Sequence, residues 1–123
     1  MLINLSNHPS EKWSPLQTEA AKVYGKIIDL PFPAVDPLAD SAKIDQFAQS
    51  YFLQIVSILA TESKGPDAVH LMGELTFCFS LVLKLKTSGI QCLASTAKRE
   101  TCELPDGAKK SKFVFARFRE YFS

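Results

Sequence analysis

Three short polar runs in this chain carry side chains suited to nucleotide chemistry, and each follows directly on an apolar segment. The first is Ser6-Asn7-His8-Pro9-Ser10, after Met1 to Leu5. Histidine is the side chain most suited to proton transfer at physiological pH, which makes His8 a candidate acid or base. The second is Gly73-Glu74-Leu75-Thr76, after an apolar stretch ending in Leu71-Met72. A glycine at a strand-to-helix turn lets a ligand approach backbone N–H groups where negative charge is favoured. Glu74 would repel a phosphate, so its carboxylate suits ribose hydroxyls or an adenine amino group. The third is Ser95-Thr96-Ala97-Lys98-Arg99, after Ile90 to Ala94. Lys98 and Arg99 can hold phosphate oxygens, Arg99 through a planar fork, with the Ser95 and Thr96 hydroxyls beside them.

Other chemistries find less support. There is no GxGxxG after the first apolar segment and no GxxxxGK[ST], so neither a dinucleotide cofactor nor P-loop hydrolysis is indicated. His8 and His70, the only histidines, lie far apart, and Cys78, Cys92 and Cys102 fit no metal spacing. No metal and no cofactor are expected, and an odd cysteine count fits a reducing compartment without a disulfide framework. A Ser-His-Asp or Cys-His arrangement cannot be read from one sequence.

The elements that must position these runs follow from periodicity and punctuation. Residues 1–5 read as a strand. Ser14-Pro15 reads as a helix cap with proline at the first helical position, and Leu16, Ala20, Val23 and Tyr24 as one helical face closed by Gly25. Residues 26–30 read as a second strand. Ser41 is the expected cap of a long helix in which Ile44, Phe47, Ala48, Tyr51, Phe52, Ile55, Val56 and Leu59 keep the i, i+3, i+4, i+7 pattern. A short strand before Gly73 leads into an apolar helix, Leu75 to Lys86, stopped at Ser88-Gly89. Residues 90–94 form a fourth strand ending in the Ser95–Arg99 loop. Residues 100–104 and 112–118 read as a hairpin around Pro105-Asp106-Gly107. Alternating strands and helices imply a parallel sheet with right-handed crossovers. The expected fold is a single α/β domain over residues 1–123, a small doubly wound, Rossmann-like parallel sheet with a C-terminal antiparallel β-hairpin. Ligands of such sheets bind at the carboxyl ends of the strands, where all three polar runs fall.

With 46% hydrophobic and 22% charged residues over 123 positions, the composition is that of an ordinary globular domain. The net charge of +1 is uneven: residues 98–119 hold seven basic against three acidic side chains, an excess of +4. Lys109, Lys110 and Lys112 suit a solvated edge strand. No run reaches the roughly 18 apolar residues of a membrane span, and the N-terminus lacks the basic start of a signal peptide, so a cytoplasmic location is expected. The apolar helix after Gly73 needs cover on more than one face, which points to a homodimer built on that helix or on the hairpin.

The runs Ile3-Asn4-Leu5-Ser6-Asn7-His8-Pro9, His70-Leu71-Met72-Gly73-Glu74, Ala94-Ser95-Thr96-Ala97-Lys98-Arg99 and Arg117-Phe118-Arg119-Glu120-Tyr121 together resemble small stand-alone proteins of the CARF (CRISPR-associated Rossmann fold) family. The resemblance covers essentially the whole chain. It implies a dimer that binds cyclic oligoadenylate, most simply cyclic tetra-adenylate. As in ring nucleases of type III CRISPR antiviral defence, it also implies cleavage of the ring without metal, by attack of a ribose 2′-hydroxyl on the adjacent phosphorus. On it Arg99, His8 and Lys98 become candidate catalytic residues, and Ser6, Asn7, Gly73, Glu74, Thr76, Ser95 and Thr96 ligand contacts; neither DNA nor a membrane is an implied partner. A non-catalytic messenger-binding sponge or sensor, and an unrelated nucleotide-processing enzyme on the same fold, are the alternatives.

Overall fold

The computed structural model describes residues 1–122. Within them, β1 (Leu2–Ser6), β2 (Ile27–Asp29), β3 (Ala68–Met72), β4 (Gln91–Glu103) and β5 (Lys109–Glu120) form one sheet, connected by α1 (Pro15–Ala21), α2 (Ser41–Glu62) and α3 (Leu75–Thr87). The strand order is β2-β1-β3-β4-β5. The first four strands are parallel and β5 runs antiparallel to β4. The fold is therefore α/β with a mixed, mostly parallel sheet, compatible with a Rossmann-like fold.

Side-chain alternation along the central strands divides the buried residues between two clusters. Met1, Ile3, Leu5, Val69, Leu71 and Cys92 pack with α2 and α3, around Ile44, Ala48, Ile55, Leu59, Phe77, Leu81 and Leu85. Leu2, Ala68 and Leu93 pack with Trp13 and with Ala21 of α1. Local chemistry explains most boundaries. Ser14 caps α1 by accepting from the Gln17 amide, with Pro15 at the first turn. Gly25 and Gly89 end their helical segments at a φ of +79°, a conformation that side chains other than glycine rarely adopt.

Three expectations are corrected. The long helix is capped by Asp40, whose carboxylate accepts from the Lys43 amide, one residue earlier than Ser41. In α1 the buried residues are Gln17 and Ala21, while Leu16 and Val23 are exposed. The α-helix there is only seven residues long and passes into a 3-10 turn at Lys22–Tyr24, so a 3.6-residue period does not carry through. Finally, Ser95 to Arg99 is not a loop. β4 continues through it without a break, paired residue by residue with β5 from Leu93 opposite Glu120 to Glu103 opposite Lys109. The fourth strand and the first strand of the expected hairpin are one element, with a bulge at Thr96/Ala97. The hairpin closes at Pro105-Asp106-Gly107, where Gly107 has a φ of +85° and its amide donates to the Leu104 carbonyl.

Candidate functional site

Asn4 on β1 and His70 on β3 are polar residues inside otherwise apolar strands, and each is only 1% exposed. They face each other because the parallel register sets Asn4 beside His70. His70 in turn pairs with Leu93 of β4, which brings Ser95 to the far side of the ring. The three side chains form a chain of hydrogen bonds across β1, β3 and β4, with Ser95 just past His70↔Leu93, the last parallel pair of β3 with β4.

Proton positions follow from the partners. The Asn4 Nδ2 atom lies 2.9 Å from the His8 carbonyl and 2.8 Å from Asp29 Oδ1. Both are acceptors, so this atom is the amide nitrogen and Oδ1 is the acceptor. Asn4 Oδ1 receives the Ser6 hydroxyl at 2.8 Å and faces His70 Nδ1 at 2.8 Å, so Nδ1 carries a proton. Burial pushes the His70 pKa down to about 4, helped by the charge of His8. The ring is therefore neutral near pH 7, its Nε2 holds a lone pair, and the Ser95 hydroxyl, 3.0 Å away, donates to it. Met72 Sδ lies 3.1 Å from the same hydroxyl and 3.2 Å from the Ser95 amide. Imidazole nitrogen is the better acceptor for the hydroxyl, which leaves the amide to the sulfur.

Aromatic rings shape the apolar surround. Trp13 and Phe118 meet the imidazole edge-on, at centroid distances of 5.4 and 5.5 Å. Asp29 fastens the other end of the relay. Burial alone would raise its pKa, but hydrogen bonds from the Ser10 hydroxyl, Asn4 and the Ser10 amide outweigh that and hold the carboxyl below its usual range. The polar loop after β1 is thereby fixed: Ser10 bonds to Asp29 at 2.6 and 3.0 Å, and the His8 carbonyl also accepts the Trp13 indole N–H at 3.0 Å.

A stability prediction follows from His70. Folded, it stays uncharged down to about pH 4; unfolded, it binds a proton below about pH 6.5. Between these values the unfolded chain holds more protons, so stability falls as the pH drops from about 6.5 to about 4. The loss is about 3 kcal/mol from this group alone, and it is absent above the window. Urea unfolding at pH 7 and pH 5 should read about 2 kcal/mol of it, and a His70→Gln variant should show a clearly flatter dependence over that range.

Of the residues expected at the site from sequence, Ser6 and Ser95 join the relay directly. Asn7 and His8 are exposed on the loop beside it. Glu74 and Thr76 are engaged with each other: the Glu74 carboxylate caps α3, accepting from the Thr76 and Phe77 amides at 3.1 and 2.7 Å and from the Thr76 hydroxyl at 2.6 Å. The Thr76 hydroxyl, then the Phe77 amide, hold the Glu74 carboxyl below its usual range. Those two amides are not open to a phosphate. Gly73 is covered on one side by the Phe32 ring, which an added Cβ would overlap. Thr96 turns to the other strand, where its hydroxyl donates to the Arg117 carbonyl at 3.0 Å. Lys98 pairs with Glu100 at 3.9 Å. Arg99 lies four strand residues beyond Ser95, about 13 Å away at about 3.3 Å per residue, so it does not meet the relay within one chain. Asn4, Asp29, His70 and Trp13 were missed. Their signal was a polar residue at an interior position of an apolar strand, which becomes interpretable once the register supplies its partner.

Among the described residues, no group of three or more His, Cys, Asp or Glu side chains is placed to hold a metal ion, and no helix is long and apolar enough to cross a membrane. Fold and site together define an α/β domain with a neutral histidine–serine pair where the parallel pairing of β3 with β4 ends. The chain belongs to the uncharacterized protein MJ1673 family, whose model matches residues 1–119. No curated protein matches it.

Proposed function

We propose that this protein is a ring nuclease that binds and opens cyclic oligoadenylate, cyclic tetra-adenylate first among the candidates, to switch off type III CRISPR signalling. The observation that carries the reading is the Ser95 hydroxyl donating to the neutral His70 Nε2, with His70 on β3 bordering the point where the sheet order reverses between β1 and β3. Read as a doubly wound sheet, with α1 on one face and α2 and α3 on the other, this is the switch point at which such sheets take ligands.

In the proposed reaction a ribose 2′-oxygen forms a bond to the adjacent phosphorus and the bond from phosphorus to the 5′-oxygen breaks. The 2′-proton passes to Ser95 as the Ser95 proton passes to His70 Nε2. The leaving 5′-oxygen takes a proton from His8 or from water. The product is linear with a 2′,3′-cyclic phosphate end, and no metal or cofactor enters the balance. Asn4 keeps the imidazole in the tautomer whose lone pair faces Ser95, the task a third group performs in other nucleophile–base pairs. Lys98 and Arg99 serve phosphates further along the ring.

Labelled cyclic tetra-adenylate incubated with the protein in chelator tests the reading: linear product with a cyclic phosphate end is expected, and an intact, unbound ring would sink it. Retention without cleavage would favour the sponge reading, which one observation supports: a histidine with a pKa of about 4 is a weak base until the phosphodiester charge raises it.

Self-association belongs to the same proposal. Leu75, Phe79 and Leu83, at i, i+4 and i+8 on α3, form an exposed apolar stripe (Phe79 is 68% exposed) beside a groove of about 720 Å³ against the start of α2. A two-fold contact through it would present the relay twice to a four-fold ring. Phe79→Glu should convert a dimer to a monomer in sedimentation without lowering Tm by more than a few degrees. A parent protein that is monomeric with and without ligand would refute the dimer.

A further inference from the structure

One aromatic face of the hairpin continues from the relay, where Phe118 meets the imidazole, out along β5. Phe118, Phe115 and Phe113 share that face, with the bulge residue Ala116 keeping the first two in phase, and the Phe115 and Phe118 rings meet at a centroid distance of 5.1 Å. Their partners on β4 are Ser95, Ala97 and Arg99. Directly opposed residues of an antiparallel pair project to the same side, so Arg99 stands beside the Phe113 ring, on the same side of the sheet as Ser95. Phe113 is 76% exposed.

Between this face and the segment leading into α1 lies a cleft of about 570 Å³, lined among others by His8, Lys12, Leu16, Phe113 and Phe115. The volume falls within the range of small-molecule sites. No carboxylate lines it, and among the described residues neither Lys12 nor Arg99 has an ion-pair partner. Its wall is held in place, because the His8 carbonyl accepts from both Asn4 and Trp13. Exposed aromatic rings set among unpaired cations match a nucleotide, whose base offers a flat face and whose phosphate offers the charge.

We propose that this cleft is a nucleotide subsite, with an adenine base stacked on Phe113 and its phosphate directed to Lys12, His8 and Arg99. The proposal rests on the oligoadenylate reading for the identity of the base, but binding here does not require cleavage. It extends the ligand surface from the strand ends along the hairpin and assigns Arg99 to binding.

The test is fluorescence anisotropy of end-labelled linear tetra-adenylate with the full chain at two salt concentrations. Loss of one stacked base predicts that Phe113→Ala weakens binding about 5- to 150-fold, while Phe113→Trp retains it. Lys12→Ala should weaken binding and reduce its salt dependence by about one phosphate contact. The Phe113 ring is exposed, so an unchanged Tm verifies that the variant is folded. Parent-like binding by Phe113→Ala overturns the subsite, as does a parent that does not retain the linear probe. So does a Phe113→Ala protein that sediments as a smaller species than the parent, because the cleft would then hold a second copy. The two proposals separate cleanly. Binding that depends on Phe113 without ring cleavage leaves the subsite standing and removes the nuclease. Ring cleavage indifferent to Phe113 does the reverse.

Discussion

Asn4→Leu is expected to destabilise the protein by about 3–5 kcal/mol, much of the roughly 5–15 kcal/mol that holds a domain of this size together. Leucine has the same branched four-atom side-chain skeleton as asparagine but bulkier methyl ends, so the loss comes mainly from hydrogen bonds, with some overpacking added. Asn4 donates to Asp29 and the His8 carbonyl and accepts from Ser6 and His70. Three of these partners keep other contacts: Asp29 retains Ser10, the His8 carbonyl retains Trp13, and the Ser6 hydroxyl retains the His8 amide. The His70 Nδ1–H retains none. A buried donor without a partner costs about 1–3 kcal/mol, and each other lost bond about 0.5–1.5 kcal/mol. Urea unfolding at pH 7 reads the sum. Asn4→Asp discriminates further. It keeps the acceptor for His70 but replaces the donor to Asp29 with a second carboxylate at the same 2.8 Å contact, so it should also be destabilised at pH 7. Parent-like stability of Asn4→Asp would show that the side-chain orientation derived for Asn4 is wrong.

Ser95→Ala is expected to slow opening of cyclic tetra-adenylate on the order of 100-fold or more, the usual size of an acid–base contribution, while ring binding changes less than about tenfold. Folding should be nearly intact. Ser95 is half-buried, water can replace its hydroxyl at His70 Nε2, and the cost should be about 1 kcal/mol. Binding and cleavage measured on one preparation separate the two effects. A Ser95→Ala protein that cuts like the parent would remove the relay from the chemistry and leave His8 as the remaining base. Arg99→Ala serves as the contrast. Its guanidinium stands on the hairpin, about 13 Å along the strand from Ser95, so binding and cleavage should fall together.

The sequence alone was sufficient for elements whose cause is local. The period of α2 is legible because four turns repeat one pattern, and Ile44, Ala48, Ile55 and Leu59 of that pattern are buried. Ser14-Pro15, Gly25, Ser88-Gly89 and Pro105-Asp106-Gly107 mark boundaries through the backbone preferences of their own residues. The strand–helix alternation that makes this an α/β domain is the sum of such signals. The rest depended on residues far apart in the chain. Whether Ser95 to Arg99 is a loop or a strand turns on β5, because only a paired partner satisfies the backbone groups of an extended segment. The buried side of α1 turns on the sheet and hairpin beneath it, since a helix of seven residues is too short to show its face by period. The relay shows this most plainly. Asn4 and His70 are 66 positions apart, and His70 and Ser95 are 25 apart. In sequence, Asn4 and His70 interrupt apolar strands and invite no pairing. The register of three parallel strands brings them within hydrogen-bond distance, and burial there keeps His70 neutral, so separate polar residues become one continuous chain of hydrogen bonds.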